Sequence, residues 1–159
     1  MHLREGEKIV KVYHHHPTPF VFLILKTIGA FLPFFFLLFL FREGLSIKAY
    51  TIAQLFVFLL FGLVIVYVSL VFWLDKLIIT NFRAVFVNWK YLTIRDEAEA
   101  LLDDIQDIAT KEKGIFSYFW IFDYGSVRVE TASSHTIIEF VDAPDPEGIR
   151  HFIYKAKDQ

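Results

Sequence analysis

Two long apolar runs dominate the hydrophobic pattern of this chain. Phe20 to Phe41 carries one charge in 22 residues, Lys26, and Ile52 to Leu74 carries none in 23. As helices rising ~1.5 Å per residue, each covers ~33 Å, close to one bilayer core. Only Arg42-Glu-Gly-Leu-Ser-Ile-Lys-Ala-Tyr-Thr51 separates them. The pattern predicts a helical hairpin with a polar turn, spanning 20–74, with helices over 20–41 and 50–74. A secretory leader does not fit the first run, because its apolar part is ~7–15 residues and ends in a small-residue cleavage site. Pro33 is expected to kink the first helix. Gly29 should leave room for a neighbour, and Gly62 and Ser69 should mark the packing face of the second helix.

After Leu74 the period changes. Leu77–Thr80 and Ala84–Val87 read as short strands joined at Asn81-Phe82, since Asn accepts the backbone of a tight turn. Tyr91–Ile94 follows Asn88-Trp89-Lys90, another turn-like step. Val127–Thr131 alternates with period two, and with His135–Val141 it forms a predicted hairpin. Asp96 to Ile108 is ambiguous: Glu97, Ala98, Glu99, Ala100 and Leu101 favour helix. The last element is clear. Asp145 is an N-cap, Pro146 occupies the first helical position, and Ile149, Phe152, Ile153 and Ala156 repeat along one face. Tyr124-Gly125 reads as a turn before a strand.

Charge divides the chain. The whole of its 159 residues carries −2, but residues 1–74 hold six Lys/Arg against three Glu, net +3. Asp75–Arg95 holds four basic residues and one acid, net +3, and Asp96–Gln159 six against fourteen, net −8. Basic residues flank the apolar runs, and the distal part is acidic. Such a surface repels nucleic acid, which is not an expected partner. Three Lys/Arg precede the hairpin, four follow it, and two lie in its loop. The positive-inside rule then puts both termini in the cytoplasm of a multi-pass membrane protein. Lys26 is expected to snorkel.

Catalytic chemistry is hard to find. The chain has no cysteine, hence no disulfide, thiol nucleophile or cysteine–metal site. Phosphate-loop, zinc-helix and nucleophile-elbow signatures are also missing. His14-His15-His16 is the one dense ligand cluster. It reads as an interfacial spacer rather than a metal centre, since adjacent histidines alone do not build convergent ligands. Asp103, Asp104 and Asp107 lack cation-loop spacing and read as a solvated acidic face. No enzyme activity, metal or cofactor is expected.

Two groups of residues are candidates for contact. The run Ile115–Phe122 contains Phe116, Tyr118, Phe119 and Trp120 and follows Lys111 and Lys113. It barely alternates, as a barrel strand would, and its composition suits a membrane or partner surface. Lys76, Arg83, Lys90 and Arg95 are candidates for a lipid headgroup, with Arg83 also read as a structural residue of the Thr80–Arg83 turn.

Several short stretches together resemble the membrane-anchored bacterial pleckstrin-homology-like family. They are Leu77-Ile-Ile-Thr-Asn-Phe-Arg83, Leu102-Asp-Asp-Ile-Gln-Asp-Ile108, Tyr124-Gly-Ser-Val-Arg-Val-Glu-Thr131 and Val141-Asp-Ala-Pro-Asp-Pro146, with Gly6-Glu7 upstream of the hairpin. The family often has Gly in the second turn, where this chain has Asn88-Trp89. The resemblance implies an α+β membrane protein, with an N-terminal transmembrane helical hairpin followed by a split β-barrel of about seven strands capped by a C-terminal helix. It favours a strand from about Leu102 to Thr110. The expected organisation is a cytoplasmic segment 1–19, the hairpin 20–74 and the domain 75–159. The expected function is a membrane-tethered, non-enzymatic interaction module that binds copies of itself or another membrane protein. Lipid-headgroup recognition is the alternative.

Overall fold

The computed structural model describes residues 3–112, 124–132 and 137–157. The chain divides into two compact units, Met1–Thr18 with Val71–Gln159, and Pro19–Leu70.

The second unit is the helical pair. Helix α1 spans Pro17–Leu40 and α2 spans Ile47–Leu74, joined by a short 3-10 turn, Arg42–Gly44. His16 Nδ1 accepts the Thr18 N–H at the head of α1, and Ser46 Oγ accepts the Ala49 N–H at the head of α2. Both contacts satisfy an otherwise orphaned donor of a first turn. The helices meet through rings: Phe31 lies 5.2 Å from Phe61 and Phe35 4.9 Å from Phe58, centre to centre. No residue of α2 is buried. Thr27 is buried in α1, its hydroxyl bonded back to the Leu23 carbonyl. Two packing expectations change here. Gly29 faces open space, and Gly62 is exposed, so of the expected pair only half-buried Ser69 lies toward the contact side.

The other unit holds seven strands among the described residues. One antiparallel sheet has the order β1-β2-β3-β4, with β1 Ile9–His14, β2 Lys76–Thr80, β3 Arg83–Tyr91 and β4 Ile94–Leu101. The second has the order β5-β6-β7, with β5 Ile105–Glu112, β6 Tyr124–Thr131 and β7 Ile137–Pro144. Helix α3, Pro146–Lys157, packs on β5 and β6. Leu77, Ile79, Phe86 and Ala100 of the first sheet share one core with Val127, Val129, Ile138 and Phe140 of the second. Ile149 and Ile153 of α3 join that core, with Phe152 and Ala156 partly buried beside them. The helix stripe therefore does what its spacing predicts.

Ile78, Val85 and Val87 form a second buried cluster, with Trp89 against it. Their side chains alternate with those of Leu77, Ile79 and Phe86, so β2 and β3 bury residues on both faces. This accounts for their nearly unbroken apolar sequence.

Three sequence expectations are corrected, and the ambiguity over Asp96 to Ile108 is resolved. Residues 1–19 are not a separate segment: β1 pairs antiparallel with β2, from Ile9↔Thr80 to His14↔Lys76. The hairpin is therefore inserted between two paired strands. Asn88-Trp89-Lys90 is not a turn and Tyr91–Ile94 is not one strand: Asn88 to Tyr91 end β3, and the chain reverses at Leu92-Thr93 before β4 begins at Ile94. Residues Asp96–Leu101 are strand despite their helical propensity, because each pairs across to β3, Asn88↔Asp96 through Arg83↔Leu101. Gly125 lies inside β6 rather than in a turn. A Cβ there would come 2.2 Å from the Lys111 carbonyl oxygen and 2.8 Å from Pro146 Cγ, so only glycine admits both neighbours.

Candidate functional site

The densest cluster of charge lies where the N-terminus meets the β2–β3 turn. Thr80 Oγ1 accepts the Phe82 and Arg83 N–H groups and donates to the Arg83 carbonyl, which closes the turn. Asn81 extends sideways from it. Its Oδ1 accepts the Lys8 N–H at 2.8 Å, and its Nδ2 donates to the Gly6 carbonyl at 3.2 Å. One side chain thus imitates a strand neighbour for the segment entering β1. Arg4 to Glu7 forms a tight turn, with the Glu7 N–H bonded to the Arg4 carbonyl and Gly6 at φ +79°. The third position of such a turn needs the left-handed backbone that glycine adopts without strain.

That turn delivers Glu7 onto Arg83. The Glu7 side chain is fully buried. Its Oε1 lies 2.8 Å from Arg83 Nε and its Oε2 3.0 Å from Arg83 Nη2, a bidentate pair. The Arg4 N–H donates to Glu7 Oε2 at 2.8 Å, and Arg83 Nη1 reaches the half-exposed Glu99 carboxylate on β4. The Arg83 hydrogen bond holds the Glu7 carboxyl at about 2 against an ordinary 4.5, although burial opposes it. The Arg83 guanidinium is shifted up, chiefly by its hydrogen bond to Glu7. A cavity of about 190 Å³ lies beside the pair, lined in part by Arg4, Glu99, Asp104 and Thr131. Chemically this is a charge-satisfied latch. Its acid and base hold each other, and it ties the chain before β1 to β3 and β4.

A second latch lies between the residues that flank α1 and α2. His15 Nδ1 is 2.7 Å from the Val141 carbonyl oxygen, and Nε2 is 3.5 Å from Asp75 Oδ2. Asp75 Oδ1 accepts the Trp89 N–H at 2.6 Å. The His15 ring stacks on Phe140 at 5.0 Å, and His16 stacks on Tyr124 at 5.7 Å. The His16 N–H also donates to the Asp142 carbonyl at 2.8 Å. The histidine run is therefore not a spacer. His14 ends β1, and His15 and His16 fasten the entry of α1 to β7 and Asp75. Among the described residues no group of three His, Asp or Glu side chains is placed to hold a metal ion.

Of the four candidate headgroup cations, Arg83 stands apart from the other three. Arg83 is buried in its pair with Glu7. Lys90 bonds to Asp96 at 2.8 Å. Arg95 bonds to Glu97 and lies over the Trp89 ring at 5.9 Å. Lys76 pairs with Val87 across the sheet. Arg83 and Lys90 are seven residues apart on one strand, ~23 Å. Phe116, Tyr118, Phe119 and Trp120 lie outside the described residues. Of the three aspartates, Asp104 has a structural part: its carbonyl accepts the Ala132 N–H, joining the β4–β5 turn to the end of β6.

Sequence reasoning missed Glu7 as the partner of Arg83, and Asp75 as that of His15. Seventy-six residues separate Glu7 from Arg83, and no local pattern links them. For Asp75 a signal existed: it directly follows α2, and His15 lies two residues before α1.

Two solved structures are similar to this chain. One is a protein of the DUF1696 family with a pleckstrin-homology domain from Shewanella loihica, at 13% identity and TM-score 0.40, covering 52% of this chain and 70% of that one. The other is a pleckstrin-homology domain from Shewanella amazonensis, at 13% identity and TM-score 0.41, covering 52% and 66%. No protein-family model and no curated protein matches. The chain itself shows two antiparallel sheets sharing a core with a C-terminal helix, the architecture that the resemblance implied, and two long apolar helices set between its first two strands.

Proposed function

We propose that this protein is a membrane-tethered, non-enzymatic interaction module, with the hairpin crossing the bilayer and the two-sheet unit held at its cytoplasmic face. The observation that carries the reading is the exposure of the helices. Each has the length and composition to cross a membrane, yet 6% and 0% of their most apolar stretches are buried. A core helix of a water-soluble protein would be covered. The Lys/Arg excess on the flanks supports the direction. The partner is a second copy or another membrane protein, met through the run containing Phe119 and Trp120. What supports a non-catalytic role is that Glu7 and Arg83, the most buried charged pair described, are bound to each other.

Headgroup recognition has less behind it. Arg83, Lys90 and Arg95 already hold carboxylates.

Carbonate extraction combined with reporter fusions tests the tether. The full chain should stay in the membrane pellet, and a reporter active only in the cytoplasm should work after Gln159. Extraction into the supernatant, or activity only from a periplasmic reporter, contradicts the reading. Phe119→Ser with Trp120→Ser should lower the mass of the detergent-solubilised complex by light scattering while circular dichroism stays unchanged. Loss of fold would assign those rings to the core.

A further inference from the structure

Away from the joining turn, where Arg42, Glu43 and Lys48 lie, the helical pair contains a single charge, Lys26, and its level along the pair can be read from the ring contacts. Phe31 meets Phe61, and Phe35 meets Phe58. The helices are therefore antiparallel, and five residues before Phe31 on α1 corresponds to five or six after Phe61 on α2. Lys26 is level with Tyr67. By the same register Arg42 is level with Tyr50. Lys26 is exposed on α1 and Tyr67 is exposed on α2. No acidic residue occurs between Glu7 and Glu43 or between Glu43 and Asp75, so neither apolar helix offers Lys26 a carboxylate.

Two belts of like composition result: a cation and a tyrosine at Lys26/Tyr67, and a cation and a tyrosine at Arg42/Tyr50. Sixteen residues separate the cations and seventeen the tyrosines, ~24 and ~26 Å of helix. No charged residue lies between the belts. Tyrosine belongs at the membrane–water boundary, and a long cationic side chain reaches several ångströms outward from its backbone. With that reach at both ends, the interval matches a hydrocarbon core of ~30 Å.

We propose that Lys26 binds the phosphate of a phospholipid on the side of the bilayer from which both helices enter, and that with Tyr67 it fixes how deep the hairpin sits. The first two turns of α1 and the last two of α2 then lie in the headgroup layer rather than in hydrocarbon. This rests on the hairpin being a membrane span. The exposed ammonium supplies three donors to an anionic oxygen, and the surrounding apolar surface leaves lipid as the one source of that anion.

The chain has no cysteine, so single-cysteine nitroxide labels report depth without background. In full-length protein reconstituted into phosphatidylethanolamine–phosphatidylglycerol vesicles, a label at Phe22 should be reached by a polar nickel chelate. A label at Phe36 should be reached by oxygen instead. Lys26→Gln should move the Phe22 label toward the oxygen-rich interior. In native mass spectrometry from detergent it should lower retained phosphatidylglycerol about fivefold, the effect of one basic residue near an anionic surface. Lys26→Arg should restore both. A Phe22 label as deep as that at Phe36, or lipid retention unchanged in Lys26→Gln, would overturn the proposal while leaving the span intact. Release of the unlabelled protein by carbonate would instead remove the span on which it rests.

Discussion

In the two-sheet unit Phe140, Ile138 and Ile153 are shut away from solvent, with at most 1% of their surface open. In the hairpin Phe36, Phe39 and Leu59 leave 61, 63 and 60% open. Both regions are rich in large apolar residues, so composition alone does not separate them. Periodicity does. Strands β6 and β7 alternate and α3 carries one apolar stripe, whereas α1 and α2 are apolar on all sides. One region stabilises itself by removing side chains from water, and the other leaves its apolar surface uncovered, as the proposed bilayer span requires. The same residue type therefore has different consequences in the two regions.

The largest expected effect tests that difference directly. Phe140 lies in the shared core, 5.5 Å from the Phe86 ring and stacked by His15. Phe140→Ala should destabilise the full chain in detergent by ~3–5 kcal/mol, through lost transfer energy and a residual cavity. Leu59→Ala should change stability by less than ~0.5 kcal/mol, since its surface stays in contact with detergent. Denaturation followed by tryptophan fluorescence measures both. Equal losses would mean that the hairpin has a core of its own and that the contrast is false.

A comparable effect is expected from the latch. Glu7→Gln leaves Arg83 buried with half of its neutralisation gone, and removal of one partner from such a pair costs ~3–5 kcal/mol. The same pair sets a pH dependence. The Glu7 carboxyl is held at about 2, below its ordinary 4.5. Its contribution is complete above the unfolded value and is lost as pH falls from 4.5 toward 2. Acid titration of the wild type should show this loss, and Glu7→Gln should flatten it. An unchanged acid profile would mean that Glu7 is not charged in the fold.

Why some of this could be read from the sequence and some could not follows from the range of each interaction. The α3 stripe, the Thr80–Arg83 turn and the β6–β7 hairpin are set by neighbours, and their residues announce them. The strand β1 is only Ile9–His14, and 61 residues, most of them in α1 and α2, separate it from its partner β2. Nothing local distinguishes it from a flexible lead-in. In β4 the helical preference of Glu97 to Leu101 is real, but cross-strand pairing with Val85 and Phe86 overrides it. Arg83 was visible as a turn residue and also as a candidate surface cation. Only the approach of Glu7 separates the two roles, and that approach is tertiary.

A smaller effect is expected at Gly125, where the backbone of β5 and the ring of Pro146 close on β6. Gly125→Ala should cost ~1–3 kcal/mol through overpacking. Gly29→Ala in α1, which has open space around it, should be neutral or slightly stabilising through helix propensity. Melting of the two variants side by side sharpens the contrast, because the same chemical change meets a crowded backbone in one region and an open surface in the other.

The smallest expected effect compares two helix caps. Asp145 Oδ1 accepts the Gly148 N–H at 2.9 Å, and the Asp145 carbonyl accepts the Ile149 N–H, so this residue opens α3. It does so at φ +45°, a backbone that Asp and Asn tolerate better than alanine. Ser46 Oγ makes the corresponding contact at 3.3 Å for α2. Alanine at a cap costs ~1 kcal/mol where the helix depends on it. A helix of 12 residues is marginal by itself, and α3 is held by one buried face. The 28 residues of α2 are mostly apolar, with Lys48 and Gln54 near its start, and a helix that spans a bilayer, as proposed for α2, has its hydrogen bonds enforced by the apolar solvent whether or not the first turn is capped. Asp145→Ala should therefore speed amide exchange across α3 about fivefold, the equivalent of ~1 kcal/mol, while Asp145→Asn leaves it near wild type. Ser46→Ala should change exchange only in the first turn of α2. Spread of fast exchange along α2 in Ser46→Ala would show that the hairpin relies on its own local contacts, as the two-sheet unit does.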